Sequence, residues 1–125
     1  MEPLIAVVDD DISVRESLQS LIRSVGMDVK VFASAEEFLS SVNGSKIDCL
    51  ILDVRLPGMS GFELQRHLVA SRRKVPVIFM TAHGYDERGK SECSPDWTVA
   101  YLTKPFSEEE LLDAVHAAAK WNPEQ

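Results

Sequence analysis

Short apolar runs recur along the chain and predict the strands of a sheet. Three of them are continuous: Leu4–Val8 ("LIAVV"), Cys49–Val54 ("CLILDV") and Val75–Met80 ("VPVIFM"). Continuous runs of this length are typical of strands that are buried on both faces of a parallel sheet. Two weaker patterns, Asp28–Phe32 and Val99–Thr103, predict a second and a fifth strand.

Helical patterns separate these runs, and a recurring start signal marks them. In a capping box, a serine and a glutamate three residues later satisfy each other's backbone N–H groups at a helix start. The chain carries four such pairs in the expected places: Ser13 with Glu16, Ser34 with Glu37, Ser60 with Glu63, and Ser107 with Glu110. The first helix presents an apolar side as far as Val25 and is expected to end at Gly26. Asp11 is expected to be a solvated acid beside that helix start, where the helix dipole favours it.

The alternation of strands and helices predicts an α/β fold. Such alternation indicates βαβ units with helices on both faces of a parallel sheet. Five strands suit a flavodoxin-like doubly wound sheet in the order 2-1-3-4-5. We expect one domain over residues 1–125, with residues 122–125 as a frayed tail.

One segment departs from this regular pattern. Residues 85–98 should contain the fourth helix, but Gly84, Gly89 and Pro95 interrupt the region and no apolar stripe is present. Because burial of a stripe supplies most of a helix's stability, we expect an irregular fourth helix or a mobile loop here.

Composition narrows the function classes. The formal net charge of −7 argues against nucleic acid binding by this chain. Cys49 and Cys93 show neither a disulfide framework nor a zinc-ligand spacing, and Cys49 is expected to be a buried, reduced thiol. No run approaches membrane-spanning length and no signal-peptide pattern is seen, so a cytoplasmic location and no membrane contact are expected.

Polar residues follow four of the predicted strands at the points where the strands end. Asp9 and Asp10 follow the first strand, Asp53 ends the third, Thr81 follows the fourth and Lys104 follows the fifth. The carboxyl ends of parallel strands meet at one edge of a sheet, so these side chains should converge. Three carboxylates there require a cation, and hard oxygen ligands suit Mg2+.

This set of groups suits phosphoryl transfer. A carboxylate beside Mg2+ can attack the phosphorus of a donor and form an acyl phosphate. The Lys104 ammonium can offset charge on the phosphoryl oxygens, and the Thr81 hydroxyl can donate a hydrogen bond to them.

The ordered motifs resemble the receiver domain of two-component response regulators of the FixJ-like kind. The matching segments are "VVDDD", "LILDVRLPGMSGFEL", "VIFMTAHG" and "AYLTKPF", and with the strand–helix spacing they cover nearly the whole chain. The resemblance implies that Asp53 is the phosphoacceptor and that Asp10 and Asp53 bind Mg2+ (or Mn2+) directly. It also implies that Asp9 acts through water and that the Arg55 backbone carbonyl completes the ligands.

The resemblance further implies a switch and its partners. Thr81 and Tyr101 would form the switch pair, and Lys104 would contact the phosphoryl group. A histidine kinase or a histidine phosphotransfer protein would be the donor. An output domain or downstream protein would bind the face built from the fourth helix, fifth strand and fifth helix. Trp97 and Thr98 stand where receiver domains usually carry Gly-Ala. A cis peptide bond is expected between Lys104 and Pro105.

Other functions fit the sequence less well. A pseudo-receiver, a binding module that is never phosphorylated, need not keep the complete set of acids, threonine and lysine. A Mg2+-dependent phosphohydrolase would want a second catalytic acid near Asp53, where Arg55 stands instead. A flavin mononucleotide carrier would want a phosphate-cradling loop after the first strand, where three aspartates would repel the phosphate.

Overall fold

Strands and helices alternate along the chain in the computed structural model, which describes residues 3–41, 46–82 and 93–121. A short 3-10 helix, Pro95–Trp97, precedes the last strand. We label the final helix α4; it is the one that the sequence pattern counts as the fifth. The elements are β1 (Leu4–Val8), α1 (Ile12–Ser24), β2 (Asp28–Phe32), α2 (Ala35–Ser41), β3 (Cys49–Asp53), α3 (Gly61–Ala70), β4 (Val77–Thr81), β5 (Thr98–Thr103) and α4 (Glu108–Ala119).

The five strands form one parallel sheet in the order β2-β1-β3-β4-β5, which confirms the predicted fold class. Asp53 pairs with Met80, and Thr81 pairs with Thr103. The strand ends are therefore nearly level, and the residues that follow them share one edge of the sheet.

Helices cover both faces of the sheet, and each face has its own core. On one face α2 and α3 pack Phe38, Leu64 and Leu68 against alternate residues of the central strands. On the other face α1 and α4 pack Ile22 and Leu111 against the intervening residues. Because β1, β3 and β4 are buried on both faces, their sequences are continuously apolar.

Two of the predicted capping boxes are complete. At α3 and α4 the hydroxyls of Ser60 and Ser107 accept the backbone N–H of Glu63 and Glu110, whose side chains reach back to the serine N–H groups. At α2 the Ser34 hydroxyl accepts the Glu37 N–H at 3.0 Å, but the Glu37 carboxylate reaches the N–H of Ala33 instead of Ser34.

The predicted capping box at α1 is wrong. The cap is Asp11, whose carboxylate accepts the N–H groups of Ser13 at 2.8 Å and Val14 at 3.4 Å. An aspartate caps as well as a serine does and starts the helix two residues earlier. The expectation that Asp11 is a solvated acid at a helix start is confirmed, since it is exposed.

The end of α1 agrees with the prediction except at Val25. Gly26 follows the helix with φ of 84°, and its N–H donates to the Arg23 carbonyl at 3.0 Å, so the predicted stop is confirmed. Val25 was expected on the apolar side, but it lies beyond the last helical residue and is 42% exposed.

A buried glutamine fixes the start of β5. Gln65 on α3 is fully buried; its side-chain amide donates to the Thr98 hydroxyl at 3.0 Å and accepts the Ser94 N–H at 2.8 Å. The Thr98 hydroxyl donates in turn to the Ser94 carbonyl at 2.7 Å. This network ties the chain before β5 to α3, and nothing in the sequence pattern had singled it out.

The region predicted to hold an irregular fourth helix, residues 85–98, lies largely outside the described residues, as does the tail 122–125. The prediction of one domain over residues 1–125 stays a prediction. Within the described part of the chain, Trp97 packs edge-on against Trp121 with ring centroids 5.9 Å apart. The peptide bond between Lys104 and Pro105 is cis, as predicted.

Removing single serine hydroxyls tests which residues cap α1 and α4. Ser107→Ala removes the acceptor for the Glu110 N–H and should lower the free energy of unfolding by about 1 kcal/mol. Ser13→Ala is the matched control and should change it much less, because Asp11 caps α1. Urea unfolding of both variants measures the difference; equal losses would contradict the assignment of the α1 cap.

Candidate functional site

Three carboxylates meet at the carboxyl edge of the sheet. Oxygens of Asp9, Asp10 and Asp53, one from each residue, all lie within 4.8 Å of one another. Asp9 is fully buried and Asp53 is 7% exposed, whereas Asp10 faces solvent. Of the three acids predicted from the sequence, Asp9 and Asp53 are thus buried, and Asp10 is accessible to solvent and to ligands.

Lys104 supplies the positive charge at this edge. Its Nζ donates to Asp9 Oδ2 at 2.8 Å and lies 3.4 Å from Asp53 Oδ2. Its backbone N–H donates to the Thr81 carbonyl at 2.8 Å, which holds the start of the β5–α4 connection against the end of β4. Burial lowers the pKa of Lys104, but the hydrogen bond to Asp9 and the charges of Asp53 and Asp9 outweigh it, so the pKa is raised.

Both oxygens of the Asp9 carboxylate have partners. Oδ2 accepts from Lys104, and Oδ1 accepts the backbone N–H of Asp11 at 2.9 Å. The Asp9 backbone carbonyl accepts from the guanidinium of Arg15 at 2.7 Å. Sequence reasoning missed Arg15, although a cation in the first turn of a helix is a detectable signal.

The environment of Asp53 disfavours the charged form of its carboxyl group. Burial raises its pKa to about 6, and the nearby Asp9 charge adds to that effect. The Arg55 N–H, which donates to Asp53 Oδ1 at 3.0 Å, and the Lys104 ammonium act in the opposite direction. The side chain of Arg55 is exposed, and its backbone follows Asp53 closely enough to contact that carboxylate.

The connection after Asp53 is tightly packed. At Gly61 a Cβ atom would collide with the backbone carbonyl of Asp53, so only glycine lets α3 start so close to the strand end. Gly58 has φ of 76°, and a Cβ there would lie 2.6 Å from the Glu36 carboxylate. Glu36 also accepts the Met59 N–H at 3.0 Å, which ties this connection to α2.

Thr81 and Tyr101 lie on one face of the sheet. Thr81 is the last residue of β4 and is 8% exposed. Tyr101 pairs with Phe79, which shares a face with Thr81 because side chains alternate along a strand. The Tyr101 ring is half-buried, with its centroid 5.4 Å from that of Phe79 and 6.3 Å from that of Phe62. The Tyr101 ring therefore points inward, toward the core that contains Phe62 and Phe79.

The donor set fits a hard divalent cation. Carboxylate oxygens this close together repel one another unless a cation or a proton lies among them. Oxygen ligands with room for water are what Mg2+ prefers. Lys104 compensates only part of the charge, so the acidic cluster is compatible with Mg2+.

Comparison with known proteins identifies the class. The family model of the response regulator receiver domain matches residues 5–116. The response regulator protein TodT of Pseudomonas putida is 47% identical over 122 residues, which are 98% of this chain and 53% of TodT. The transcriptional regulatory protein FixJ of Bradyrhizobium diazoefficiens is 35% identical over 93% of this chain and 56% of FixJ.

Solved structures agree with this assignment. The crystal structure of FixJ-N superposes with a TM-score of 0.85 at 32% identity, covering 96% of this chain and 95% of that one. The response regulator StyR gives a TM-score of 0.86 at 42% identity, covering 99% of this chain and 62% of StyR. The chain belongs to the response regulator receiver domain family.

The class of function follows from the family. The chain is a phospho-accepting signalling domain of two-component systems, and the comparisons lend no support to a pseudo-receiver. The chain spans about half the length of the curated relatives it matches. Among the described residues, none of the helices is long and apolar enough to cross a membrane.

The raised pKa of Asp53 has a consequence for stability. The value is about 6 in the folded protein against 3.8 for the ordinary group, so folding disfavours the charged carboxylate. The loss in the free energy of unfolding is fully present above a pH of about 6 and disappears as the pH falls toward 3.8. Without Mg2+, Asp53→Asn should therefore stabilise the domain at pH 8 by about 1 to 2 kcal/mol, after allowance for solvent screening.

Urea unfolding at pH 8 and at pH 4 measures this effect. The gain from Asp53→Asn should shrink strongly at the lower pH. Asp113→Asn, on the exposed side of α4, is the matched control and should show no such dependence. A gain that is equal at both pH values would show that burial of the Asp53 charge is not its source.

Proposed function

We propose that Asp53 accepts a phosphoryl group and that the domain itself catalyses the transfer. The observation that carries this proposal is the cluster of Asp9, Asp10 and Asp53 at one edge of the sheet, two of which, Asp9 and Asp53, contact Lys104. Asp9 is fully buried and both of its oxygens are engaged, whereas Asp53, the last residue of β3, is 7% exposed and lies farther from Lys104, at 3.4 Å. The bond from the Arg55 N–H holds the Asp53 carboxylate in one orientation for attack.

The proposed reaction is a single displacement at phosphorus. A bond forms between a carboxylate oxygen of Asp53 and the phosphorus while the bond from phosphorus to the donor breaks. The donor keeps the electron pair of that broken bond. Lys104 and the Thr81 hydroxyl donate hydrogen bonds to the phosphoryl oxygens as charge develops on them. Loss of the phosphoryl group to water at the same site would reset the domain.

Mg2+, or Mn2+ in its place, would be held by Asp10 and Asp53, by the backbone carbonyl of Arg55 and, through water, by Asp9. The engagement of both Asp9 oxygens by other partners supports the indirect role of that residue. When bound, the ion offsets the negative charge of the transferring group and of the carboxylates.

Thr81 and Tyr101 would carry the signal away from Asp53. Phosphorylation adds charge and acceptor oxygens at the sheet edge, and Thr81 would move toward them. Because Tyr101 already packs against Phe79 and Phe62, we propose that phosphorylation stabilises this inward ring and restricts its other orientations. The change would then reach the surface formed by β5 and its neighbours.

The proposed donor is a histidine kinase or a histidine phosphotransfer protein in the cytoplasm. A groove of about 470 Å³ lies next to Lys104 and is lined mainly by residues of α1 and the β5–α4 connection, including Val14, Leu18 and Phe106. It offers the donor an apolar contact beside the acceptor. The output domain or downstream protein would bind the surface around β5 and α4, beside which Trp97 packs against Trp121.

Intact mass spectrometry with a small phosphodonor tests the assignment of Asp53. With Mg2+ the protein should gain the mass of one phosphoryl group, and Asp53→Asn should gain none. Asp113→Asn should behave like the unchanged protein, since its carboxylate is exposed on α4 and does not belong to the acidic cluster. Full labelling of Asp53→Asn, or full labelling in excess chelator, would refute the proposal.

A further inference from the structure

Arg15 stands in an unfavourable place for a cation. It lies in the first turns of α1, where the helix dipole favours acids, and the first turn of this helix contains none. The helix itself therefore does not benefit from the positive charge. The hydrogen-bond partner of the Arg15 side chain therefore indicates what this residue does.

That partner is the turn that carries the acids. The Arg15 guanidinium donates to the Asp9 backbone carbonyl at 2.7 Å, and the Arg15 backbone N–H donates to the Asp11 carbonyl at 3.1 Å. Within the turn, the Asp11 N–H donates to Asp9 Oδ1 at 2.9 Å. The bond to Asp11 is the first backbone hydrogen bond of α1 and does not depend on the side chain at position 15. The half-buried Arg15 side chain adds the contact to Asp9, so that both ends of the Asp9–Asp11 turn are held.

We infer that Arg15 is a positioning residue that locks the Asp9–Asp11 turn and so presets the acidic cluster for Mg2+. This inference deepens the proposed function, because it assigns a new residue to the same site. Groups that hold metal ligands in place commonly change metal affinity by about 10- to 100-fold when they are removed.

Two effects of Arg15 on Mg2+ binding have opposite signs. If Arg15 acted only as a charge, it would repel the ion, and its removal would tighten binding. If Arg15 acts by positioning, its removal loosens the turn and weakens binding despite the lost repulsion. The sign of the change in affinity therefore separates the two roles.

The test combines Mg2+ titration with backbone ¹⁵N relaxation of the Mg2+-free protein. Arg15→Met should weaken Mg2+ binding by about 10-fold. The order parameters of the Asp10 and Asp11 amides should fall from about 0.85 toward 0.6, the range of a flexible backbone. Arg15→Lys, which keeps a donor and the charge, should restore part of both. Arg23→Met is the matched control, because Arg23 is an exposed arginine in the last turn of the same helix, and it should change neither.

Tighter Mg2+ binding in Arg15→Met, or order parameters that stay at the value of the unchanged protein, would overturn the inference. Both readouts are independent of phosphoryl transfer. If Mg2+ binding depends on Arg15 while Asp53 accepts no phosphoryl group, the proposed function fails and the role of Arg15 stands.

Discussion

The ion pair between Lys104 and Asp9 is the interaction on which the site depends. A fully buried carboxylate is costly unless a partner compensates its charge, and Lys104 does so at 2.8 Å. The same ammonium lies farther from Asp53, at 3.4 Å. Asp9 therefore has the closer partner. Burial, together with the nearby Asp9 charge, raises the pKa of Asp53 to about 6, and the more distant Lys104 offsets this only in part. The residue proposed to react is the one whose charge is compensated less completely.

The parallel sheet explains how distant residues come together in this arrangement. Asp9 and Lys104 are 95 positions apart in the chain, and both follow strands whose ends lie at the same edge. Close packing then fixes the connections that leave this edge. Gly61 allows α3 to begin against the Asp53 backbone, and Gln65 ties the start of β5 to α3. The backbone of Lys104 is held by the pairing of β5 with β4 and by its N–H bond to the Thr81 carbonyl.

The strands and the cluster of acids were predictable because both depend on strong local signals. The run from Cys49 to Asp53 is apolar because β3 is buried on both faces, and the acids follow strand ends as the fold requires. Other features depend on competition or on tertiary contacts. Asp11 and Ser13 both have capping side chains, and only the path of the turn decides that Asp11 is the cap. The inward position of the Tyr101 ring depends on Phe62 and Phe79, which are far from it in sequence.

Structure determination with Mg2+ and the phosphoryl mimic beryllofluoride would show directly whether Asp53 is the acceptor. We expect the beryllium on a carboxylate oxygen of Asp53, with the ion touching Asp10, Asp53 and the Arg55 carbonyl. We also expect Lys104 Nζ to leave its 2.8 Å contact with Asp9 and to donate to a fluoride. An ion bound away from Asp10 and Asp53, or a Lys104 that stays on Asp9 with no contact to the mimic, would refute the assignment of the site.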